Sequence, residues 1–301
     1  MIIENRAGLS PVFVTLCDRL LNKYDKENAR YSTTQIPNPP RIVHLVERHH
    51  DEIHADVQDL AYILQGQLMH LLLEQAAGLT ELAERRFFVT REINGVQVTV
   101  GGKPDAILLP QTAGPAEMDQ YKYTSARGWM SGVKDEWTMA ENIYRYMVEA
   151  SGITIGRMFL TMIFRDWHRS DYLRRPLEYP EHAIERLPVE PWKSDKTEIL
   201  LDMRLRGLVI AEDLEDDDLP FCTPEERWQT GDAWAVRKRG NQNATKMFTV
   251  HMGGEEAALA DAARRSGDYL VEYRKGESRR CNHCFARPFC NQYVTEINPP
   301  F

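Results

Sequence analysis

The sequence has no run of apolar residues long enough to cross a membrane, since a membrane-spanning helix needs about 18 or more in succession. Its first residues, MIIENRAGLSPVFVTL, have neither the basic start nor the apolar core of a secretory signal peptide. It also lacks an excess of positive charge, because the formal net charge is -8. This argues against a protein that coats or packages nucleic acid over its whole surface. We expect a cytoplasmic protein that does not associate with membranes.

Charges of each sign gather in a few segments. Acidic side chains are concentrated at residues 212–218, which we interpret as a solvated loop. Basic side chains are concentrated at residues 237–239, 274–275 and 279–280. Such runs are typical of solvated surface, and they can also bind phosphate groups locally. The negative net charge therefore remains compatible with an enzyme that binds DNA through part of its surface.

Cysteine is scarce, with 5 in the 301 residues, and its spacing is uneven. Cys281, Cys284 and Cys290 lie close together near the end of the sequence. In a cytosolic chain such spacing favours metal binding over a disulfide. A tetrahedral zinc site or a [4Fe–4S] cluster needs a fourth ligand beside these thiolates. The candidates are Cys17, inside a predicted helix, and Cys222, in the loop LPFCTP.

Apolar periodicity predicts an α/β fold, a mixed sheet with helices packed on it. Helical spacing predicts helices at residues 11–26, 42–77, 136–150 and 255–266. Alternation with period two predicts strands at residues 86–93, 96–101, 105–109, 117–124 and 157–165. Asn94 and Gly95 predict a tight hairpin between the first two strands. Residues 233–250 are expected to hold a short hairpin, and residues 180–221 to be irregular and then helical. The predicted division is an N-terminal helix and connector (1–40), a core (41–175) and a C-terminal lobe (176–301).

One predicted helix presents a histidine beside a small residue and a carboxylate. Gly66, His70 and Glu74 stand at i, i+4 and i+8, so they share a helix face. Taken alone, His70 is typical of a helix surface or of a hydrogen-bonded core histidine. Its position becomes informative only together with the polar residues of the strands that follow.

The predicted strands bring together a carboxylate, an amide and an ammonium group. Asp105 opens a strand just after a Gly-Gly pair, where the backbone can bend sharply. Strand alternation places Gln120 and Lys122 on one face of the next strand. Carboxylates bind Mg²⁺ or Mn²⁺ through hard oxygen ligands. A lysine near a metal-bound water can orient it or accept its proton, as phosphodiester hydrolysis requires.

The chain resembles the RecB-like nucleases, a PD-(D/E)XK branch that includes the CRISPR-associated exonucleases and the AddB nuclease domain. It is still more similar to a phage- and prophage-borne set of RecB-like proteins. The resemblance extends from about Thr33 to Tyr293 and is carried by NPPRIVHLVERHHDEI, GQLMHLLLEQ, GGKPDAILL, DQYKYTS, WTMAENIYRYMVEA, IFRDWHRS, CTPEERW and the cysteine-rich end. It implies a restriction-endonuclease-like core, a mixed central sheet flanked by helices, with an iron–sulfur-stapled C-terminal lobe.

The resemblance also implies a metal-dependent DNA exonuclease with Mg²⁺ or Mn²⁺ in its site. By match, His70, Asp105 and the position of Gln120 bind the metal, and Lys122 completes the site. The substrate it implies is single-stranded DNA or frayed DNA ends. The setting it implies is phage recombination or replication in the host cytoplasm, beside the proteins of those processes.

Gln120 departs from the family, which has Asp or Glu at this position. An uncharged carbonyl oxygen should bind metal more weakly and slow the reaction. Either the natural enzyme uses glutamine, or the site has weakened, or an inactivating Glu-to-Gln change has been introduced. Asp119 faces the other way in a regular strand, although a bulge can turn it inward. The alternative function is a DNA-binding or assembly protein that keeps the fold and cluster without strong cleavage.

A second departure lies in the helix after the strands. The family shows Gln-x-x-x-Tyr there; Tyr144 fits the tyrosine, but Ala140 occupies the glutamine position. Tyr144 is thus a candidate catalytic residue and equally a candidate core aromatic.

The resemblance implies a [4Fe–4S] cluster bound by the C-terminal trio Cys281, Cys284 and Cys290 with one cysteine from upstream. We prefer Cys222, because the phage-type relatives carry a cysteine in the same C-T-P-E-E-R-W segment. Cys17 remains the alternative, since other branches place the first cysteine before the histidine helix. Zinc is the rival metal, with His283 able to replace a cysteine in that case.

Overall fold

The computed structural model of the chain describes residues 1–22, 26–76, 81–83, 85–130 and 132–298. It divides into two compact units, Met1–Leu214 and Glu215–Phe301. Helices and strands are mixed along the chain and form several sheets, so the predicted α/β class is confirmed. The first unit contains the residues that the sequence assigned to the core, together with residues 1–40 and 176–214. Within the described residues, no helix is long and apolar enough to cross a membrane.

The first unit consists of short helices and strands that alternate along the chain. Its helices are α1 (Pro11–Asn22), α2 (Pro40–Arg48), α3 (Ala61–Ala76), α4 (Ala126–Trp129), α5 (Asp135–Ala150), α6 (Arg169–Arg174) and α7 (Ser194–Glu212). Its strands are β1 (Ile2–Glu4), β2 (Tyr31–Ser32), β3 (His54–Asp56), β4 (Glu81–Ala83), β5 (Phe87–Ile93), β6 (Val96–Gly102), β7 (Ala106–Leu108), β8 (Ala116–Thr124), β9 (Ile155–Phe164) and β10 (Ile184–Val189).

The main sheet of this unit has five strands in the order β10-β9-β8-β7-β4. Strands β8 and β9 are parallel, while β7 runs antiparallel to β8. Helix α5 packs between this sheet, strand β5 and helix α7. Its buried Ile143 and Met147 join Met118 of β8 and Leu160 of β9 in the principal apolar core. This packing fixes the polar residues of α5, β7 and β8 relative to one another.

The hairpin predicted at Asn94 and Gly95 is confirmed. Strands β5 and β6 pair antiparallel from Phe87↔Gly102 to Ile93↔Val96. Asn94 and Gly95 have φ values of 50° and 79°, the left-handed conformation that a two-residue type I′ turn requires. Glycine and asparagine adopt this conformation at the least steric cost.

The prediction of one helix at residues 42–77 is wrong, and Ala77 itself lies outside the described residues. Helices α2 and α3 are separated by a 3₁₀ turn (His50–Glu52) and by β3, which pairs parallel with β1. The Asp56 carboxylate accepts hydrogen bonds from the backbone N–H groups of Arg6 and Gln58, at 2.9 and 3.0 Å. These tertiary and local bonds replace the helical hydrogen bonds that the apolar periodicity predicted.

Two other boundaries differ from the prediction. Helix α1 ends at Asn22 in the described residues, whereas the sequence predicted a helix to residue 26. Residues 23–25 lie outside the described residues. Residues 184–189, predicted as irregular, form the edge strand β10, which pairs antiparallel with β9. Pro188 within β10 weakens the strand signal, and proline is accommodated in sheets mainly at their edges. The helix expected after this segment is α7.

The second unit is a small sheet covered by a helix. Its elements are β11 (Ala233–Lys238), β12 (Lys246–Thr249), α8 (Gly254–Arg264) and β13 (Tyr269–Arg274). The sheet order is β12-β11-β13, antiparallel throughout, and Val236, Phe248 and Ala258 form the buried core. The predicted hairpin at residues 233–250 and helix at residues 255–266 are confirmed. The 3₁₀ segment Arg279–His283 contains Cys281 and is followed directly by Cys284. The 3₁₀ segment Arg287–Phe289 is followed directly by Cys290.

Candidate functional site

Asp105 lies at the start of β7, directly opposite β8. Ala106 pairs with Asp119 in antiparallel register, so Asp105 faces Gln120 across the strands. Its Oδ2 atom accepts a hydrogen bond of 2.7 Å from the backbone N–H of Tyr121. The side chain is 11% exposed, so the carboxylate is largely enclosed.

Gln120 forms a two-point pair with Asp105. In the amide orientation that satisfies both groups, Nε2 donates to Asp105 Oδ2 at 3.1 Å, and Oε1 accepts from Asp105 N–H at 2.7 Å. Gln120 is 3% exposed. A carboxylate at position 120 would have no hydrogen to donate and would repel Asp105. The glutamine therefore stabilises the Asp105 carboxylate in a way that an acidic residue cannot.

His70 approaches the same carboxylate from helix α3. Its Nδ1 atom lies 3.3 Å from Asp105 Oδ1, and its side chain is 28% exposed. Its ring centroid lies 6.4 Å from that of Tyr121. The predicted helix face therefore meets the predicted strand at His70. Glu74 is exposed, and a Cβ atom on Gly66 would meet nothing within 4 Å.

Asp119 points away from this group. Its Oδ1 atom accepts from Thr161 Oγ1 at 2.8 Å, and its Oδ2 atom accepts from Arg186 Nε at 2.7 Å. Burial raises the pKa of Asp119, while the bonds to Arg186 and Thr161 oppose that shift. The register of β8 against β9 runs regularly from Glu117 onward. The bulge that would turn Asp119 toward Asp105 is therefore not present in this strand.

Tyr144 lies behind the site and is buried in the principal core. Its ring contacts the backbone of Gly102, since a Cβ atom there would lie 2.7 Å from the tyrosine Cε1 atom. This close approach constrains the chain just before Asp105, and only glycine leaves room for it. Lys122 is partly exposed on β8, in register with Met162 of β9. Tyr144 thus packs against the segment that positions Asp105, and Lys122 stands on the face that carries Gln120.

The sequence reasoning missed Glu141, one helical turn before Tyr144. It is 1% exposed, and neither of its carboxylate oxygens has a hydrogen-bond partner among the described residues. Burial raises the pKa of Glu141 well above its ordinary value; the Lys122 ammonium opposes this shift, and Asp105 and Asp119 reinforce it. The available signal was an acidic residue within the apolar stripe of α5, whose buried positions include Tyr144 and Val148.

The donor set around Asp105 suits a hard divalent cation in its chemistry. It offers the Asp105 carboxylate, the Gln120 carbonyl oxygen and the His70 imidazole. Over the ranges that the structure describes, no group of three or more His, Cys, Asp or Glu side chains is arranged around one metal position. A metal at this point would therefore have to displace the hydrogen bonds that these side chains now make with one another.

The candidate cluster ligands Cys222, Cys281, Cys284 and Cys290 all belong to the second unit. Cys222 is 8% exposed. Gln292, which is itself buried, fixes its backbone at two points. Gln292 Oε1 accepts from Cys222 N–H at 2.8 Å, and Gln292 Nε2 donates to the Cys222 carbonyl oxygen at 3.0 Å.

The four thiols are close enough to influence one another electrostatically. Burial raises the pKa of Cys222 to about 12, and Glu226, Cys290, Cys284 and Cys281 add to the shift. Burial also raises the pKa of Cys281 and of Cys284, with contributions from neighbouring thiols of this group. Cys222 is buried and the other three thiols are partly buried. Among the described residues these cysteines are not arranged around one metal position, so a metal centre here stays a prediction.

The alternative ligands have different surroundings. Cys17 is fully buried in α1 of the first unit, and burial raises the pKa of its thiol. His283 is exposed. Cys222 thus belongs to the same unit as the trio, whereas Cys17 belongs to the other unit. The choice of the fourth ligand and the identity of the metal both stay predictions.

Comparison with known proteins does not assign a family. No family model matches the chain, and no curated protein matches it significantly in sequence. Among solved structures, the crystal structure of SSO0001 is similar with a TM-score of 0.48 and 15% sequence identity. The match covers 65% of this chain and 86% of that one. No conclusion about function is drawn from a likeness of this degree.

Proposed function

We propose that this chain is a metal-dependent nuclease that hydrolyses phosphodiester bonds in DNA. The observation that carries the proposal is the meeting of His70, Asp105 and Gln120 where β7 begins. Lys122 follows on the same strand face as Gln120. This combination of hard oxygen ligands, an imidazole and a nearby ammonium group suits phosphodiester hydrolysis. We infer that the mixed sheet is a PD-(D/E)XK core.

Each side chain has a distinct role in the proposed reaction. His70, Asp105 and Gln120 would hold Mg²⁺ or Mn²⁺. When bound, the ion supplies polarisation of the phosphate and lowers the pKa of a coordinated water. Lys122 orients the attacking water, accepts its proton or offsets negative charge on the phosphate. Tyr144 acts as a positioning residue, because its ring supports the backbone at Gly102 before Asp105.

In the second unit we propose a [4Fe–4S] cluster held by Cys222, Cys281, Cys284 and Cys290. Support comes from the mutual influence of the thiols and from the fixation of Cys222 by Gln292. A cluster there would cross-link the loop at residue 222 to the C-terminal segment, and so stabilise a unit with a small apolar core.

The substrate and setting rest on the resemblance of the sequence. We propose single-stranded DNA or frayed ends as the substrate and phage recombination or replication as the process. The proteins of those processes would be the partners, and the host cytoplasm the location.

A second candidate function is a DNA-binding or assembly protein with little cleavage. The observation that favours it is the uncharged Gln120, whose amide is buried and bonded to Asp105 at both ends. In such a protein the pair would serve mainly to hold the sheet together.

The test is a digestion of end-labelled single-stranded DNA in Mn²⁺ and in Mg²⁺. It compares the parent chain with Asp105→Ala, Lys122→Ala and the control Asp135→Asn, which removes an exposed charge from α5. We expect cleavage by the parent and the control, stronger in Mn²⁺, and loss of cleavage in the other two. Equal cleavage by Asp105→Ala would contradict the proposed site. Binding of DNA without degradation by any of the four proteins would support the second function.

A further inference from the structure

Glu141 is an acidic side chain that the protein encloses without a hydrogen-bond partner among the described residues. It lies on α5, and both of its oxygens are buried and lack hydrogen bonds among the described residues. Native proteins rarely leave a buried carboxylate unpaired, because desolvation of the charge is then uncompensated. Such a group therefore requires either a proton or a ligand that the protein does not itself supply.

Glu141 is linked to the candidate metal site by its position on α5 and by its electrostatic interaction with residues of that site. One helical turn further along α5, the Tyr144 ring contacts Gly102, which lies three residues before Asp105. The charged groups that act on the Glu141 carboxylate are Lys122, which stabilises it, and Asp105 and Asp119, which oppose it. Asp119 points away from the site, toward Arg186 and Thr161, so Asp105 is the carboxylate with which Glu141 would share a cation.

We propose that Glu141 is the second carboxylate of the divalent-metal site and supplies the negative charge that Gln120 lacks. The inference rests on the proposed function and deepens it. Asp105 and Glu141 would then offer two formal negative charges to the ion, from a strand and from a helix that the same core holds together. Gln120 would be retained because its amide can bridge to Asp105, which a third carboxylate could not do.

Among the described residues, these ligands are not arranged around one point. Metal binding would therefore require the Glu141 side chain to turn toward Asp105, while the Asp105–His70 and Asp105–Gln120 contacts open. A purely structural role is the competing explanation. In that case the Glu141 carboxylate offsets the charge of the partly exposed Lys122 ammonium, and removing the carboxylate destabilises the protein.

The two explanations predict opposite results for Glu141→Gln, which preserves size and removes the charge. We expect Mn²⁺ affinity, measured by calorimetry on the full chain with its iron content checked, to fall by at least about tenfold. We also expect the metal-free protein to melt at the same temperature or higher, since a buried unpaired carboxylate has been removed. The control Asp135→Asn should leave Mn²⁺ affinity unchanged. Should Glu141→Gln fail to fold, Glu141→Met, an apolar residue of similar size, replaces it in the same measurements.

The decisive measurement is the Mn²⁺ affinity of variants that carry a carboxylate at position 120. In the Glu141→Gln background, Gln120→Glu should recover most of the lost Mn²⁺ affinity, whereas in the parent the same change should alter it by less than about threefold. An additive result, with equal gain in both backgrounds, would overturn the inference. So would unchanged Mn²⁺ affinity in Glu141→Gln.

The measurements also separate this inference from the proposed function. If Asp105→Ala abolishes Mn²⁺ binding while Glu141→Gln does not change it, the metal site stands and the role of Glu141 is refuted. If neither substitution changes Mn²⁺ binding, or if the parent binds no Mn²⁺, both proposals are refuted.

Discussion

The two candidate sites differ in how their polar groups are satisfied without a ligand. At the sheet site, Asp105 contacts His70, pairs with Gln120 and accepts a hydrogen bond from Tyr121. At the cysteine site, the bonds of Gln292 go to the backbone of Cys222, and the thiols are left near one another. The sheet site can therefore keep its geometry without metal. In the proposed cluster, the metal centre would replace the thiol protons and supply the strongest interactions of the cysteine site.

The cores beneath the two sites reinforce this difference. The core of the first unit joins α5 and α7 to the five-stranded sheet and to the three-stranded sheet β2-β6-β5. The second unit buries Val236, Phe248 and Ala258, with a few partly buried neighbours. Small apolar cores seldom stabilise a unit alone, and cross-links commonly add to them. The comparison therefore predicts that metal removal changes the function of the first unit and the folding of the second.

The largest effect should come from Cys222→Ser. Protein purified without oxygen should contain about four irons per chain in the parent. The variant should lose that iron, and its residues 215–298 should become sensitive to protease while the first unit stays resistant. Iron analysis and mass spectrometry of the fragments give the result.

Cys17→Ser is the matched control and should keep its iron, because Cys17 belongs to the first unit. If Cys17→Ser loses the iron and Cys222→Ser keeps it, the fourth ligand has been assigned wrongly. If the parent contains stoichiometric zinc and no iron, the cluster assignment is wrong and the cysteines bind zinc.

The next largest effect concerns the sheet site and should leave the fold intact. Asp105→Ala removes the carboxylate to which His70 and Gln120 are joined. Mn²⁺ binding should disappear, and cleavage should slow by at least about 100-fold, which corresponds to about 2.7 kcal/mol of barrier. Far-ultraviolet circular dichroism should be unchanged. Unfolding of this variant would show that the first unit depends on its site as strongly as the second.

A smaller effect should follow from Gln292→Leu, which tests how the cysteine site is held. The change leaves the backbone N–H and carbonyl of the buried Cys222 without partners. The free energy of unfolding of the second unit should fall by about 2 kcal/mol. Iron release to a chelator should accelerate accordingly.

Asn291→Ala is the control for that substitution. Asn291 is partly exposed and donates to the Asp217 carbonyl oxygen at 3.1 Å, in a bond that solvent can reach. Loss of this bond should cost about 0.5 kcal/mol or less, because water can replace it. An equal effect of both changes would mean that Gln292 has no special part in fixing Cys222.

The sequence predicted those parts of the fold that depend on local patterns. The hairpin at Asn94 and Gly95 follows from two residues that tolerate positive φ, and the buried strands follow from their alternation. The break between α2 and α3 was missed, because it depends on Asp56 and its bond to Arg6, 50 residues away in sequence. Strand β10 was missed because an edge strand with a proline carries little pattern of its own.

The candidate site shows the same division. His70, Asp105 and Gln120 were selected by helix and strand spacing together with the resemblance to the RecB-like nucleases, and the structure brings them together. Glu141 was missed because its significance comes from burial, which arises only when α5 packs on the sheets. Periodicity marks which helix face is buried, but not whether an acidic residue there is enclosed or reaches solvent.

The smallest effect concerns the response of the first unit to protons. His44 of α2 is buried, and its Nε2 atom lies 2.9 Å from the Leu208 carbonyl oxygen of α7. Burial lowers the pKa of His44 below the ordinary value of 6.5, and the nearby Arg48 charge lowers it further. The bond to Leu208 and the carboxylates of Glu212 and Glu47 oppose this shift. Between the two pKa values the folded state binds fewer protons than the unfolded state. The stability contributed by neutral His44 is therefore present above pH 6.5 and is lost as the pH falls toward the folded pKa.

His44→Gln, which keeps a hydrogen-bond donor, should consequently lose less stability than the parent between pH 7 and pH 5. The control His182→Gln changes an exposed histidine and should match the parent. The measurement is urea unfolding of the first unit at both pH values, followed by tryptophan fluorescence, with the iron content of each sample determined. If the variant and parent lose the same stability, the acid sensitivity lies elsewhere in the unit. If the loss instead follows the iron content, the first unit depends on the cluster, and the contrast between the two units fails.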